Sequence, residues 1–123
     1  MTTIHANSPR DAMKRLEQMI GMASMGMTSN TIRSTIVSAL RIVIQLQRLP
    51  DGKRRIVSIS EITGMEGDVI QMQEIYRFVK EYTDEHGIHG TYRATGVRPT
   101  FLNDLKAYGI EIPASYFETS QPL

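Results

Sequence analysis

Cysteine and tryptophan are absent from this 123-residue chain, and three Phe and five Tyr supply all of its aromatic bulk. Without cysteine there is no disulfide and no thiolate chemistry, which fits a reducing compartment. Net charge is nearly missing as well, at +1. The balance therefore gives no footprint of a nucleic-acid or acidic-membrane partner. No apolar run reaches bilayer length: ALRIVIQL is broken by Arg41 and Gln45. The N-terminus lacks the basic-then-apolar layout of a signal peptide. A soluble, cytoplasmic protein is the expectation.

Two motif absences narrow the chemistry further. A phosphate-binding loop requires G-x-x-x-x-G-K-[ST]. Gly-Lys occurs once, at Gly52-Lys53, but Arg54 follows it and Gln47 stands where the first glycine belongs. No serine lies in a G-x-S-x-G elbow. By its own residues the chain holds no complete active site.

What is present reads as one small domain, with 41% apolar and 22% charged residues. Eight methionines stand out. The cluster MIGMASMGM is compatible with an adaptable apolar surface, although Met more often fills core gaps, and core is the expectation.

TTIHA (2–6) is predicted to form a short strand. Ser8-Pro9-Arg10-Asp11 then marks a helix start, with Ser8 as cap, Pro9 in the first helical position and Asp11 reaching back to an orphan N–H. Ala12, Met13, Leu16, Ile20 and Ala23 give its stripe, and Gly21 and Gly26 weaken its end. A second helix starts at Thr28 or Ser29 and carries Ile32 and Ile36. The period then changes to two at Ile42, Ile44 and Leu46. Pro50-Asp51-Gly52 turns the chain into KRRIVSISEITG, which makes an antiparallel hairpin. VIQMQEIYRFV is a third strand of this group, with Ile70, Met72, Tyr76 and Phe78 on one face. TDEHGIHG reads as a loop, TYRAT as a short strand, and Arg98-Pro99 introduces a last helix that stops at Gly109. The tail EIPASYFETSQPL is expected to be loosely ordered.

Candidate chemistry is sparse. His5 closes the first strand just ahead of a capped helix, where open α/β sheets collect ligand-contacting residues. On the residues alone, a histidine that merely satisfies nearby backbone is the expectation. His86 and His89 lie three apart, yet Gly87 and Gly90 argue against one helix face and no third ligand has a matching spacing. With Asp84 and Glu85 they read as solvated loop groups. Lys53-Arg54-Arg55 could touch phosphates. It has no aromatic neighbours for stacking, and Asp51 and Glu61 flank it, so a solvated hairpin tip is expected. Glu66 and Asp68 in GMEGD could bind a cation or move a proton, but Gly64 and Gly67 argue for a structural turn.

TTIHANSPRDAMKRLEQM resembles the histidine box and following helix of the type II/IV secretion ATPases, in the CpaF-type subgroup of tight-adherence pilus assembly. RLPDGKRRIVSISEITGMEGDVIQMQEIYRF resembles the hairpin and T-G-M-E-G-D turn that follow in that subgroup. YRATGVRPTFLNDLKAYGIEIP is similar to its C-terminal end. The similarity runs over nearly the whole chain, in order. It implies an α/β fold: 1–123 as the C-terminal part of a RecA-like ATPase domain, with one strand, two helices, a hairpin/meander and a short C-terminal helix. It also implies a homo-hexameric motor using ATP and Mg, cytoplasmic and docked on inner-membrane platform proteins, in which His5 faces the nucleotide. The family's N-terminal domain, phosphate loop, acidic box and magnesium-site carboxylate have no counterpart here. The expectation is a piece of a longer ATPase, marginally stable alone because the TTIHA strand would lack neighbours. A stand-alone module binding such ATPases or their platform proteins is the alternative.

Overall fold

The computed structural model describes residues 1–23 and 26–119. Three α-helices, α1 (Pro9–Ala23), α2 (Ser29–Ala39) and α3 (Phe101–Ala107), pack on a four-stranded sheet of β1 (Ile42–Arg48), β2 (Arg54–Glu66), β3 (Val69–Asp84) and β4 (Gly87–Ala94). The strands pair antiparallel in the order β1-β2-β3-β4, a plain meander. The fold is mixed α/β.

Both N-terminal helices begin where their capping residues stand. Ser8 Oγ accepts the Asp11 amide at 3.1 Å, and the Asp11 carboxylate accepts the Asn7 amide at 3.2 Å. This is a reciprocal cap in which the aspartate reaches one residue beyond the cap residue. Thr28 Oγ1 accepts the Thr31 amide at 3.1 Å and starts α2. Ala12 and Met13 of α1 and Ile32 and Ile36 of α2 bury against Ile62 and Ile70, with Val43, Met72 and Ala6 packed at the margin. This core lies on one face of the sheet.

The other face carries a second, smaller core of Ile75, Leu102 and Phe117. Ile70, Met72, Tyr76 and Phe78 do not share a face as the spacing predicted. A bulge places Ile75 between Glu74 and Tyr76, which pair with Ser60 and Ile59. The extra residue shifts the alternation. Ile70 and Met72 therefore face α1 and α2, while Ile75 and Tyr76 pack with Phe117.

Residues 1–6 form no strand, contrary to the expectation for TTIHA. Strand propensity needs a backbone edge to bond, and among the described residues this segment pairs with no strand; its Ala6 carbonyl instead accepts from Gln45 Nε2 at 3.0 Å. TDEHGIHG is likewise no loop. Asp84 pairs with Gly87 and Tyr82 with His89, so the segment is the tight end of the β3–β4 hairpin. The glycines suited a strand here. A Cβ on Gly90 would lie 2.3 Å from the Val79 carbonyl oxygen and 2.7 Å from Phe78. The tail is ordered through Thr119: Ala114–Phe117 forms a 3₁₀ turn that inserts Phe117 beside Tyr76, ring centroids 5.7 Å apart. Residues 120–123 lie outside the described residues.

The methionine cluster is also not core. Met13 is buried, but Met19 and Met22 are 57% and 83% exposed. Met25 lies outside the described residues. The far end of α1 still meets this core through Ile20, and Met19 and Met22 stay on the surface because they lie off the helix face that Ala12, Leu16 and Ile20 bury.

Candidate functional site

His5 is held at the entrance of α1, one residue before the carbonyl that Gln45 anchors and three before the capping Ser8. The segment around it is fixed at Ala6, while the imidazole itself is exposed. A histidine so placed can donate to or accept from a ligand brought from outside. It has no catalytic companion among the other sequence-predicted site residues, which gather elsewhere.

The gathering point is where the two hairpin ends meet. Asp51, in the β1–β2 turn, accepts the Lys53 amide at 3.0 Å and reaches across to the Ile88 amide at 2.9 Å. Arg55 Nη2 donates to Asp51 at 3.2 Å and to the Ile88 carbonyl at 2.8 Å, and its guanidinium lies 5.4 Å from the Phe78 ring centre. Lys53 Nζ donates to the His86 carbonyl at 3.1 Å. Two of the three residues in the basic run are thus committed to internal carbonyls. The amides of Ile88 and then Lys53 hold Asp51 down from an ordinary 3.8 to about 2, against a smaller opposing effect of burial and with further help from Arg55. A Cβ on Gly87 would sit 2.7 Å from this carboxylate, and Gly87 has φ +114°. Glycine is required there on both counts.

Beside this clasp, His89 Nε2 lies 2.8 Å from Asp84 Oδ1, and its ring stacks on Tyr82 at 4.6 Å between centroids. The His89 ring, then the His86 amide, hold the Asp84 carboxyl below its usual range, with a smaller opposing effect of burial. His86 points instead toward Glu85, at 3.5 Å. The two histidines do not converge, and among the described residues no three His, Asp or Glu side chains form a group able to hold a metal ion.

Glu66 and Asp68 are separate as well. Glu66 accepts from Gln71 Nε2 at 2.7 Å, whereas Asp68 meets Arg33 of α2, which also holds Glu17 at 2.9 Å. Both carboxylates sit at a hairpin turn between strands, Gly67 having φ +62°.

The most strongly enclosed charge is one that sequence reasoning passed over as a neighbour of the basic run. Glu61 is fully buried. Its Oε1 accepts Gln73 Nε2 at 3.0 Å and the Thr100 amide at 2.9 Å. Its Oε2 accepts the Thr100 hydroxyl at 2.8 Å and the Phe101 amide at 2.9 Å. Thr100 makes no side-chain cap of its own, so a sheet carboxylate takes the orphan amides at the start of α3. Burial opposes ionisation most strongly, but the four donors together outweigh it and leave the carboxyl below the ordinary glutamate range. The available signal was a charged residue inside the β-branched run ISEIT.

ATP with magnesium does not fit the residues present. There is no G-x-x-x-x-G-K-[ST] loop in the sequence, and among the described residues no carboxylate group is placed to hold a metal ion. No helix of the described residues is long and apolar enough to cross a membrane. No protein-family model matches the sequence, and comparison with curated proteins gave no significant match.

Proposed function

We propose that this chain is the C-terminal portion of the catalytic domain of a CpaF-type secretion ATPase, RecA-like in its complete form. It works in a hexameric pilus-assembly or secretion motor docked on inner-membrane platform proteins. The observation that carries the reading is the box T-T-I-H-A-N-S-P-R-D, in which Ser8 and Asp11 close the first turn of α1 and His5 remains exposed ahead of it. The ordered match of the GMEGD hairpin and the C-terminal YRATGVRPTFLNDL segment supports it. On this reading ATP and magnesium are held by a phosphate loop and carboxylates elsewhere in a longer polypeptide, and His5 is this chain's contribution to that site.

The test has two parts. The purified chain should show no ATP hydrolysis above background, with or without His5→Ala. In a complete motor polypeptide bearing this segment, His5→Ala should lower turnover more than nucleotide affinity. Lost binding with turnover intact at saturation defeats the role given to His5. A reading frame around the chain without any G-x-x-x-x-G-K-[ST] loop defeats the family reading itself. A second reading, a non-catalytic module that binds such motors or their platform proteins, draws on the uncovered apolar sheet face of β1 and β2. Stable co-purification with a complete motor ATPase favours it.

A further inference from the structure

We propose that the outer face of the β1–β2 hairpin is a docking site for an amphipathic helix of a partner protein, apolar along one side and carboxylate-bearing at one end. The inference is independent of the ATPase reading. Strand alternation in β1 sends Val43 into the core under α1 and α2, which turns Ile42, Ile44 and Leu46 to the opposite face. There they are 39%, 50% and 58% exposed, and Ile56, directly across from Leu46, is 36% exposed. These four side chains make a contiguous apolar strip on two adjacent strands, the kind of surface that marks an interaction site.

The dimensions favour one helix. Two strands present a face about 10 Å wide, the diameter of a single α-helix. One end of the strip is already bounded by α3, because Glu61, opposite Ile42, holds the Thr100 and Phe101 amides, and Arg41 pairs with Asp104. A second helix laid beside α3 would complete a layer that α3 covers only in part.

Charge defines the partner's chemistry. At the far end Arg48 and Arg54 are direct cross-strand partners on the same face as Leu46 and Ile56, and both are exposed. Like charges placed so are mutually unfavourable. Among the described residues neither reaches a carboxylate, whereas Arg33, Arg41, Arg55, Arg77 and Arg93 each do. The strip thus ends in a cation pair that a partner carboxylate would satisfy. Two arginines on a chain of net charge +1 fall short of the basic cluster that an anionic membrane surface recruits. A second copy meeting this face with its own strip is poorly matched to the arginines, since the carboxylates bordering the strip are already engaged, Glu61 by the α3 amides and Asp104 by Arg41.

The probes are two fluorescein-labelled 16-residue peptides, each with leucines at helical spacing and a Glu pair at its N-terminal or C-terminal end. Binding is read by fluorescence anisotropy. At least one peptide should saturate, gain helicity on binding, and bind roughly tenfold more weakly when its Glu pair is changed to Gln. Ile44→Thr keeps strand propensity and a surface position, so it should leave the melting curve in place and weaken binding at least about fivefold. Protein carrying Arg48→Glu and Arg54→Glu should instead prefer the peptide whose acidic pair is lysine. Absence of binding by both peptides overturns the proposal, as does equal binding by the Ile44→Thr protein. So does binding to phosphatidylglycerol vesicles that depends on the same residues, or a dimer in sedimentation that Ile44→Thr dissociates.

Discussion

Replacing Glu61 by glutamine is the most discriminating perturbation of this fold. The carboxylate accepts four hydrogen bonds, two of them from the backbone amides that open α3. A glutamine has one carbonyl oxygen and one NH₂. If the NH₂ replaces Oε2 it faces the Phe101 amide, and if it replaces Oε1 it faces the Thr100 amide. The Thr100 hydroxyl and the Gln73 amide can turn to adapt, but a backbone N–H cannot become an acceptor. Each orientation therefore loses one charge-assisted bond and leaves a buried donor unpaired, a cost of about 3 kcal/mol. Against a total stability on the order of 10 kcal/mol this is a large fraction. Urea unfolding followed by far-ultraviolet circular dichroism at pH 7 measures it. Acid provides the second check. The folded-state pKa of Glu61 lies below its unfolded value. Its stabilisation is therefore complete above the ordinary glutamate pKa and is lost as pH falls through the folded one. The gap between wild type and Glu61→Gln should close over that interval. A gap under 0.5 kcal/mol at pH 7 on the scale set by these bonds, or one that does not begin to narrow once pH falls below the ordinary glutamate range, refutes the reasoning.

Asp51 should give a local counterpart. Its folded pKa of about 2 lies below the ordinary 3.8, so its hold on the hairpin ends is full above about pH 4 and is lost as pH falls toward 2. The protection factor of the Ile88 amide, its rate taken against the intrinsic rate at each pH, should fall over that range, and Asp51→Asn should lower it already at pH 7; an amide protected equally in both proteins argues against the clasp. Gly90→Ala should destabilise by about 3 kcal/mol, as overpacking against rigid backbone does, because the Val79 carbonyl 2.3 Å away cannot move without breaking the β3–β4 ladder. Gly21→Ala in α1, where an added Cβ would make only an ordinary contact 3.6 Å from Ile32, serves as the comparison, and equal losses in the two variants count against the steric argument.

The local signals in the sequence determined a good deal. Ser8, Pro9 and Asp11 specify the start of α1, and Thr28 the start of α2, because a cap needs only residues within four positions of itself. The turn at Pro50-Asp51-Gly52 and the alternation on either side of it specify the β1–β2 hairpin for the same reason. TTIHA shows the limit of that logic. Its β-branched residues suit a strand, but a strand also requires a neighbouring edge, and among the described residues this segment pairs with none. The bulge at Ile75 is equally invisible in sequence, since one unpaired residue shifts the face of every residue after it without changing the composition.

The site residues divide along the same line. His5 was legible as a residue just ahead of a capped helix because that setting is made by adjacent residues, whereas its exposure and the missing strand before it were not. Tertiary structure alone decided that Asp51 and Arg55 would clasp Ile88, more than thirty residues away, and so made two apparent loops into one joint. It alone decided that Glu61, in a strand, would supply the acceptors for a helix that begins some forty residues later. Tertiary packing also left Ile42, Ile44 and Leu46 in solvent, although their alternation reads as a buried face. Periodicity states which side chains share a side of the sheet. Which side is covered depends on where the helices come to rest.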